Sequence, residues 1–239
     1  MRIAVFGDIH ANIHALKSAY TAALSQKSDR MFHMGDLGGY NPFVNEVVDF
    51  LIEKGIEGVQ GNYDETVAND REQCGCKYED PIQAELAHHS FVWTKEHATE
   101  KSKEYMRNLP VKIDFVAEGR KVALFHATPH KNNLYWYEER PETFFREMAA
   151  KVNADIMIYG HTHLPYRKDI DGKVFINAGS VGRPKDGDPR TSVCIIDILA
   201  DAVVTDFLRV PYDVDAAAEA VLASGLPDAF ARQLKTGKP

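Results

Sequence analysis

Short apolar runs alternate with helix-spaced segments through the first third of the chain. "RIAVFGD", "RMFHMGD" and "IEGVQGN" each run apolar and then close on polar residues, as buried parallel strands do. Between them, "NIHALKSAYTAAL" puts Ile13, Leu16, Ala19 and Tyr20 on one helical face, and "FVNEVVDFLIEKG" reads as a second helix stopped by Gly55. This β-α-β-α-β order predicts a mostly parallel sheet with short crossovers. From Glu65 the strand signal lapses, and the polar helical stretches "DPIQAELAHHSFVWTKEH" and "TEKSKEYMRNL" follow until Pro110. They predict a helical insertion over residues 65–109, laid on one edge of a single domain spanning 1–239. Strands resume with "VKIDFVAEG", "RKVALFHAT" and "ADIMIYGH", with a helix near "PETFFREMAAKV". Beyond them, alternation cut by D-G turns predicts antiparallel hairpins. The tail 213–239 reads as one or two helices broken at Gly225–Pro227.

Composition narrows the partners. With 44% hydrophobic and 26% charged residues, a chain of 239 is ordinary for a folded protein and can bury a real core. A net charge of −7 opposes non-specific binding to a phosphate backbone, so a small substrate is expected rather than bulk nucleic acid. No apolar run approaches the ~20 residues of a membrane span, and "MRIAVFGDIH" lacks the features of a signal peptide. Cys74 and Cys76 form C-x-C and Cys194 lies in an apolar run, so all three are expected as free thiols in a reducing, cytoplasmic setting. The alternative is a surface Cys74–Cys76 redox or metal pair.

The candidate chemistry collects at strand ends. Asp8 and His10 follow the first strand, Asp36 the second, Asn62 the third, His126 a later one, and His161 and His163 another. In open parallel sheets ligands bind beyond the carboxyl ends of strands, so these residues are predicted to meet on one rim. Seven N/O donors without a thiolate suit divalent Mn, Fe, Zn or Ni. Seven exceeds the need of one ion that also binds water and substrate, whereas two ions sharing a carboxylate account for the number. Singly, "GDIH" or "GHTH" could be turn residues with histidines satisfied by backbone. Jointly they form a pattern.

That pattern, D-x-H, G-D, G-N, H and G-H-x-H in order from Asp8 to His163, resembles the calcineurin-like metallophosphoesterases. "NAGSVGRPKDGDPR" is also similar to their bacterial members. The resemblance implies an α/β four-layer α-β-β-α sandwich with a dinuclear site at its strand ends. It further implies that Asp8, His10 and His163 hold one ion, that Asn62, His126 and His161 hold the other, and that Asp36 bridges. A hydroxide between two cations would attack phosphorus in line, with Asp36, Asn62 and His161 the residues closest to catalysis. The resemblance leaves the insertion and the chain after about Tyr212 uncovered.

One position departs from many family members. Tyr63 stands where they carry a histidine, and Gly39 stands where they carry the aspartate that orients it. A phenol near pKa 10 is a poor general acid beside an imidazole near 6.5. The expected substrates are therefore phosphodiesters or nucleotides whose leaving groups depart unaided. Phosphomonoester or nucleotide pyrophosphate hydrolysis is the alternative, and so is a non-catalytic metal-binding scaffold. Tyr63, Tyr40, His130 and Arg183 are candidate substrate contacts, with Lys185 and Arg190 further cations on the Arg183 loop. Asn41 is a possible pocket residue, His33 a core histidine, and His88 and His89 belong to a solvated helix face. "NNLYWYEER" reads as a substrate lip or a partner surface.

Overall fold

The computed structural model describes residues 1–76 and 80–239; residues 77–79, within the expected insertion, lie outside the described residues. One sheet comprises β1 (Arg2–Phe6), β2 (Arg30–His33), β3 (Glu57–Gly58), β9 (Thr191–Ile198) and β10 (Val203–Val210), in the order β10-β9-β1-β2-β3. The other comprises β4 (Lys112–Ala117), β5 (Arg120–Phe125), β6 (Ile156–Tyr159), β7 (Tyr166–Ile170) and β8 (Lys173–Asn177), in the order β4-β5-β6-β8-β7. Both sheets are mixed. β1, β2 and β3 run parallel, as do β5, β6 and β8. The hairpins β4–β5, β7–β8 and β9–β10 are antiparallel.

Three apolar clusters define the layers. Between the sheets, Ile3, Val5 and Phe32 of one face Val122, Leu124, Ile156 and Ile158 of the other. Outside the first sheet lie α1 (Ile13–Ser25), α2 (Val44–Lys54), α3 (Asn62–Ala68), α4 (Pro81–His97), α5 (Glu100–Asn108), α7 (Val214–Ala223) and α8 (Asp228–Thr236). Leu16, Val48, Val67, Phe91, Met106, Val221 and Phe230 are among the core residues they supply. Outside the second sheet, α6 (Glu142–Ala149) packs Phe145 and Met148 around Trp136, Tyr159 and Phe175. The result is two mixed sheets face to face with helices on both outer sides, the expected α-β-β-α order.

The local starts and stops follow ordinary helix chemistry. Asn12, Thr99 and Asp213 accept first-turn amides of α1, α5 and α7, filling donors a helix leaves unpaired. Gly55 ends α2 in the left-handed conformation, as its position predicted. The "IEGVQGN" strand is much shorter than its pattern suggests. Only Glu57 and Gly58 pair with β2, and Asn62 already belongs to the first turn of α3. Gly58 lies so close to the His33 ring that a Cβ there would come within 2.2 Å of it, so the strand passes over an imidazole rather than an aliphatic side chain.

"NNLYWYEER" divides by side. Trp136 is buried, stacked on Tyr159 with ring centroids 4.4 Å apart. Trp136→Ala should lower stability by roughly 3–5 kcal/mol, the usual range for truncating a large buried aromatic. Chemical denaturation of the variant against the parent measures it.

Candidate metal centre

Each strand end hands one or two polar side chains to the same place. The loops after β1, β2, β5 and β6 deliver Asp8 and His10, Asp36, His126, and His161 and His163, while Asn62 comes from the start of α3. All seven are almost fully buried. Backbone bonds between these loops hold them. The Asp8 carbonyl accepts from the amides of Val181 and Gly182, both at 3.0 Å, and the His10 amide donates to the Asp36 carbonyl at 2.8 Å. His10, Asp36, His161 and His163 all have positive φ, between 45° and 68°, which non-glycine residues hold only under constraint, at about 1–3 kcal/mol each.

The donor atoms form two groups that share Asp8. Asp8, Asp36, His126 and His161 present atoms within 4.8 Å of one another, and so do Asp8, His10 and His163. Asp36 spans the two. Its oxygens lie 3.8 Å from His10 Nε2 and 3.6 Å from His126 Nε2. Asn62 Oδ1 lies 3.1 Å from His126 Nε2, and His10 Nε2 lies 3.0 Å from His163 Nε2. Three imidazoles have their other nitrogen fixed: Nδ1 of His10, His126 and His163 meets the carbonyls of Gly38, Met34 and Arg183 at 2.8, 2.6 and 2.7 Å. A carbonyl only accepts, so each Nδ1 carries the proton and each Nε2 turns a lone pair inward.

This donor set fits divalent cations. Asp8 Oδ2 is buried and accepts no hydrogen bond among the described residues, although His163 Nε2 lies 3.3 Å from it. Burial drives the His10, His161 and His163 pKa values well below the ordinary imidazole range, leaving them neutral. Burial also pushes Asp36 well above the carboxylate range, against the pull of His126 and with Asp8 and Asp64 adding to it. For His126 burial opposes protonation, but Asp36 and Asp8 outweigh it and raise its pKa. Neutral imidazoles facing buried carboxylates that lack compensating charge are what a bound cation would satisfy.

The calcineurin-like phosphoesterase superfamily domain matches residues 1–201 of this chain. The chain belongs to that superfamily. An uncharacterized protein of Methanocaldococcus jannaschii is 28% identical over 253 residues, covering 99% of this chain and 98% of that protein. The metallophosphoesterase of Sphaerobacter thermophilus superposes with a TM-score of 0.76 at 28% identity, over 99% of both chains. A hypothetical protein of Pyrococcus horikoshii shares the fold, with a TM-score of 0.84 at 19% identity over 100% of this chain and 99% of that one.

The remaining expected site residues separate. Tyr63 is buried, and its hydroxyl donates to the Ala87 carbonyl of α4 at 3.3 Å. Burial pushes its pKa well above that of a free phenol. Gly39 is its counterpart, because a Cβ there would sit 2.7 Å from the Tyr63 ring. The Tyr63 ring leaves no room for a side chain at position 39. Tyr40 is buried beside it, 4.7 Å edge-on from His10. The Arg183 guanidinium lies over the Tyr40 ring at 3.9 Å and donates to Gln233 Oε1 at 2.8 Å. Arg190 is paired with Asp188 at 2.6 Å. Half-buried Lys185 stays within electrostatic reach of Asp8 and Asp36. Asn41 is buried, its side chain donating to the His10 carbonyl at 2.8 Å. His130, His88 and His89 are exposed.

Two contributors carried weaker sequence signals. The Asp64 carboxylate accepts from the amides of Asp36, Leu37 and Gly61 at 2.9, 2.8 and 2.8 Å, tying the turn after β2 to the start of α3. Its place three residues after the Gly61 N-cap is the spacing of a capping acid, which could have identified it. The C-x-C segment also borders the site. Asn62 Nδ2 donates to the Cys74 carbonyl at 3.0 Å and lies 3.1 Å from Cys76 Sγ.

His33 is a core histidine, as expected. Its Nδ1 accepts from the Gly35 amide at 3.2 Å, and burial lowers its pKa to about 3. The sign follows directly. Between pH 6.5 and 3 the unfolded chain takes up a proton at His33 that the folded chain refuses, so this residue's stabilisation is full above about 6.5 and falls with pH. The slope for one proton is about 1.4 kcal/mol per pH unit. His33→Gln should flatten the acid limb of a denaturation-versus-pH curve by up to about that slope. A curve parallel to the parent's would show that His33 does not titrate there.

Proposed function

We propose that this protein is a metal-dependent phosphohydrolase that cleaves phosphodiesters in small substrates, nucleotides included. Asp8, His10 and His163 would hold one divalent ion, Asn62, His126 and His161 the second, with Asp36 between them. The observation that carries the reading is the placement of Asp36, whose two oxygens reach toward His10 on one side and His126 on the other. Bound divalent ions of the Mn, Fe, Zn or Ni type would supply Lewis acidity and a nucleophile at neutral pH.

The chain's own residues do the rest. The Gly38, Met34 and Arg183 carbonyls keep three imidazoles turned inward. The Tyr63 amide donates to Asp36 Oδ1 at 2.9 Å and the His161 amide to Asp8 Oδ1 at 2.9 Å, so each carboxylate is aimed by a backbone hydrogen bond. Lys185, whose pKa burial and the neighbouring Arg183 lower to about 7, is the amine of its loop left to meet a substrate phosphate, since Arg183 and Arg190 already have partners.

The preference for diesters rests on Tyr63. Its hydroxyl faces α4 and its proton is held more tightly than in a free phenol, so it is a poor donor to a departing alkoxide. Leaving groups that need no proton are favoured. The net charge of −7 supports a small substrate over a nucleic-acid polymer, and the free cysteines support a reducing, cytoplasmic setting.

Chelation should abolish hydrolysis of bis-p-nitrophenyl phosphate, and Mn²⁺ should restore it. Asp36→Asn should reduce turnover by more than about 100-fold, exceeding the roughly 10–100-fold of an outer-shell change, with the protein still folded by circular dichroism. Activity persisting after exhaustive chelation would remove the reading.

Tyr63→Phe separates the phenol from catalysis. Diester turnover should stay within about threefold of the parent, against the roughly 10²–10⁴-fold carried by a general acid. A loss of about 100-fold in the same assay would assign the proton donor to Tyr63.

A further inference from the structure

Four imidazoles line the cluster, and three are held in the same manner, by a carbonyl at Nδ1. His161 is the exception. Its Nδ1 faces His126 Nε2 at 3.2 Å, so that nitrogen points into the cluster. Its Nε2 is buried and has no hydrogen-bond partner among the described residues. What lies against the ring is Tyr135, with centroids 4.3 Å apart and planes 24° from parallel. Tyr137 stacks behind Tyr135 at 5.5 Å and 9°.

The stack is anchored from the opposite side of its own segment. Trp136, between the two tyrosines, is buried against Phe125, Tyr159 and Phe175. The Trp136 carbonyl accepts from the Tyr166 hydroxyl at 2.7 Å. With that residue pinned in the core, Tyr135 reaches the His161 ring.

We propose that Tyr135 is a positioning residue for His161, fixing the plane of its imidazole by stacking where the other three rings are fixed by a carbonyl. The inference rests on the reading of His161 as a metal ligand. The plane of an imidazole sets the direction of its in-plane lone pair, so a face-on neighbour aims Nδ1 without touching it. Ligation at Nδ1 would draw electron density from the ring, and an electron-rich phenol face is a better partner for such a ring. The stack and ligation thus favour one another.

Metal titration of the chelator-treated full chain tests this without substrate. Mn²⁺ uptake is followed by calorimetry, and Co²⁺ uptake by visible absorption, for the parent, Tyr135→Phe and Tyr135→Leu. Tyr135→Phe keeps the stack and should bind both ions within about threefold of the parent, below the roughly 10–100-fold of outer-shell changes. Tyr135→Leu should weaken one of the two ions by about 10-fold, the lower end of that range, and leave the other unchanged. Its Co²⁺ spectrum should change as well, and thermal melting should confirm that the variant is folded. Parent-like affinity for both ions in Tyr135→Leu overturns this inference alone and leaves the hydrolase reading standing. Equal weakening of both ions, or an equal loss in Tyr135→Phe, overturns it too, because general packing or the hydroxyl would then be responsible. A parent protein that takes up no metal ends both readings.

Discussion

Two carboxylates, Asp8 and Asp36, are almost fully buried where the strand ends of the two sheets meet. An isolated buried carboxylate is costly by several kcal/mol, so everything around this pair has to compensate for it. Backbone amides do part of that work, through His161 on Asp8 and Tyr63 on Asp36. The backbone therefore comes very close. A Cβ at Gly61 would fall 2.3 Å from Asp36 Oδ1, and one at Gly160 2.4 Å from Asp8 Oδ1. The left-handed conformations of His10, Asp36, His161 and His163 belong to the same constraint, because each strand must turn sharply as it leaves the sheet to aim its side chain inward.

Holding those turns requires material from far along the chain. Asp64 ties the turn after β2 to α3. Tyr63 fills the space beside Gly39 and connects the floor of the site to α4. Tyr40 continues the aromatic layer to Phe230 of α8, 5.1 Å away edge-on, and Arg183 lies between the Tyr40 ring and Gln233 of the same helix. The helical segment before Pro110 and the terminal helices thus both contribute side chains to the surroundings of the metal centre. The packed Tyr63 ring thereby joins the start of α3 to α4 beside the site.

Much of the architecture was legible in the residue pattern. Apolar runs that close on Asp8, Asp36, His126 and His161 mark strands by their periodicity and mark the rim by their polar ends, because both signals are local. The layering follows once each strand needs cover on both faces. The hairpin at Asp171–Gly172 is equally plain, since turn chemistry is carried by two or three adjacent residues. The third strand is shorter than "IEGVQGN" predicts, because the chain leaves the sheet after Gly58 to bring Asn62 into a helix.

By itself the sequence determined which side chains are available to a cation, the order in which strands deliver them, and the absence of an imidazole at Tyr63. Only the tertiary structure decided which nitrogen of each histidine turns inward, that Arg183 is committed to Tyr40 and Gln233, and that His161 rests against Tyr135. The physical reason is range. Periodicity and turn chemistry act between neighbours in the chain, whereas the partners that orient His10, His126 and His163 lie 28, 92 and 20 residues away. No local pattern encodes such a pairing; it exists once the two sheets have packed and the strand ends share one buried volume.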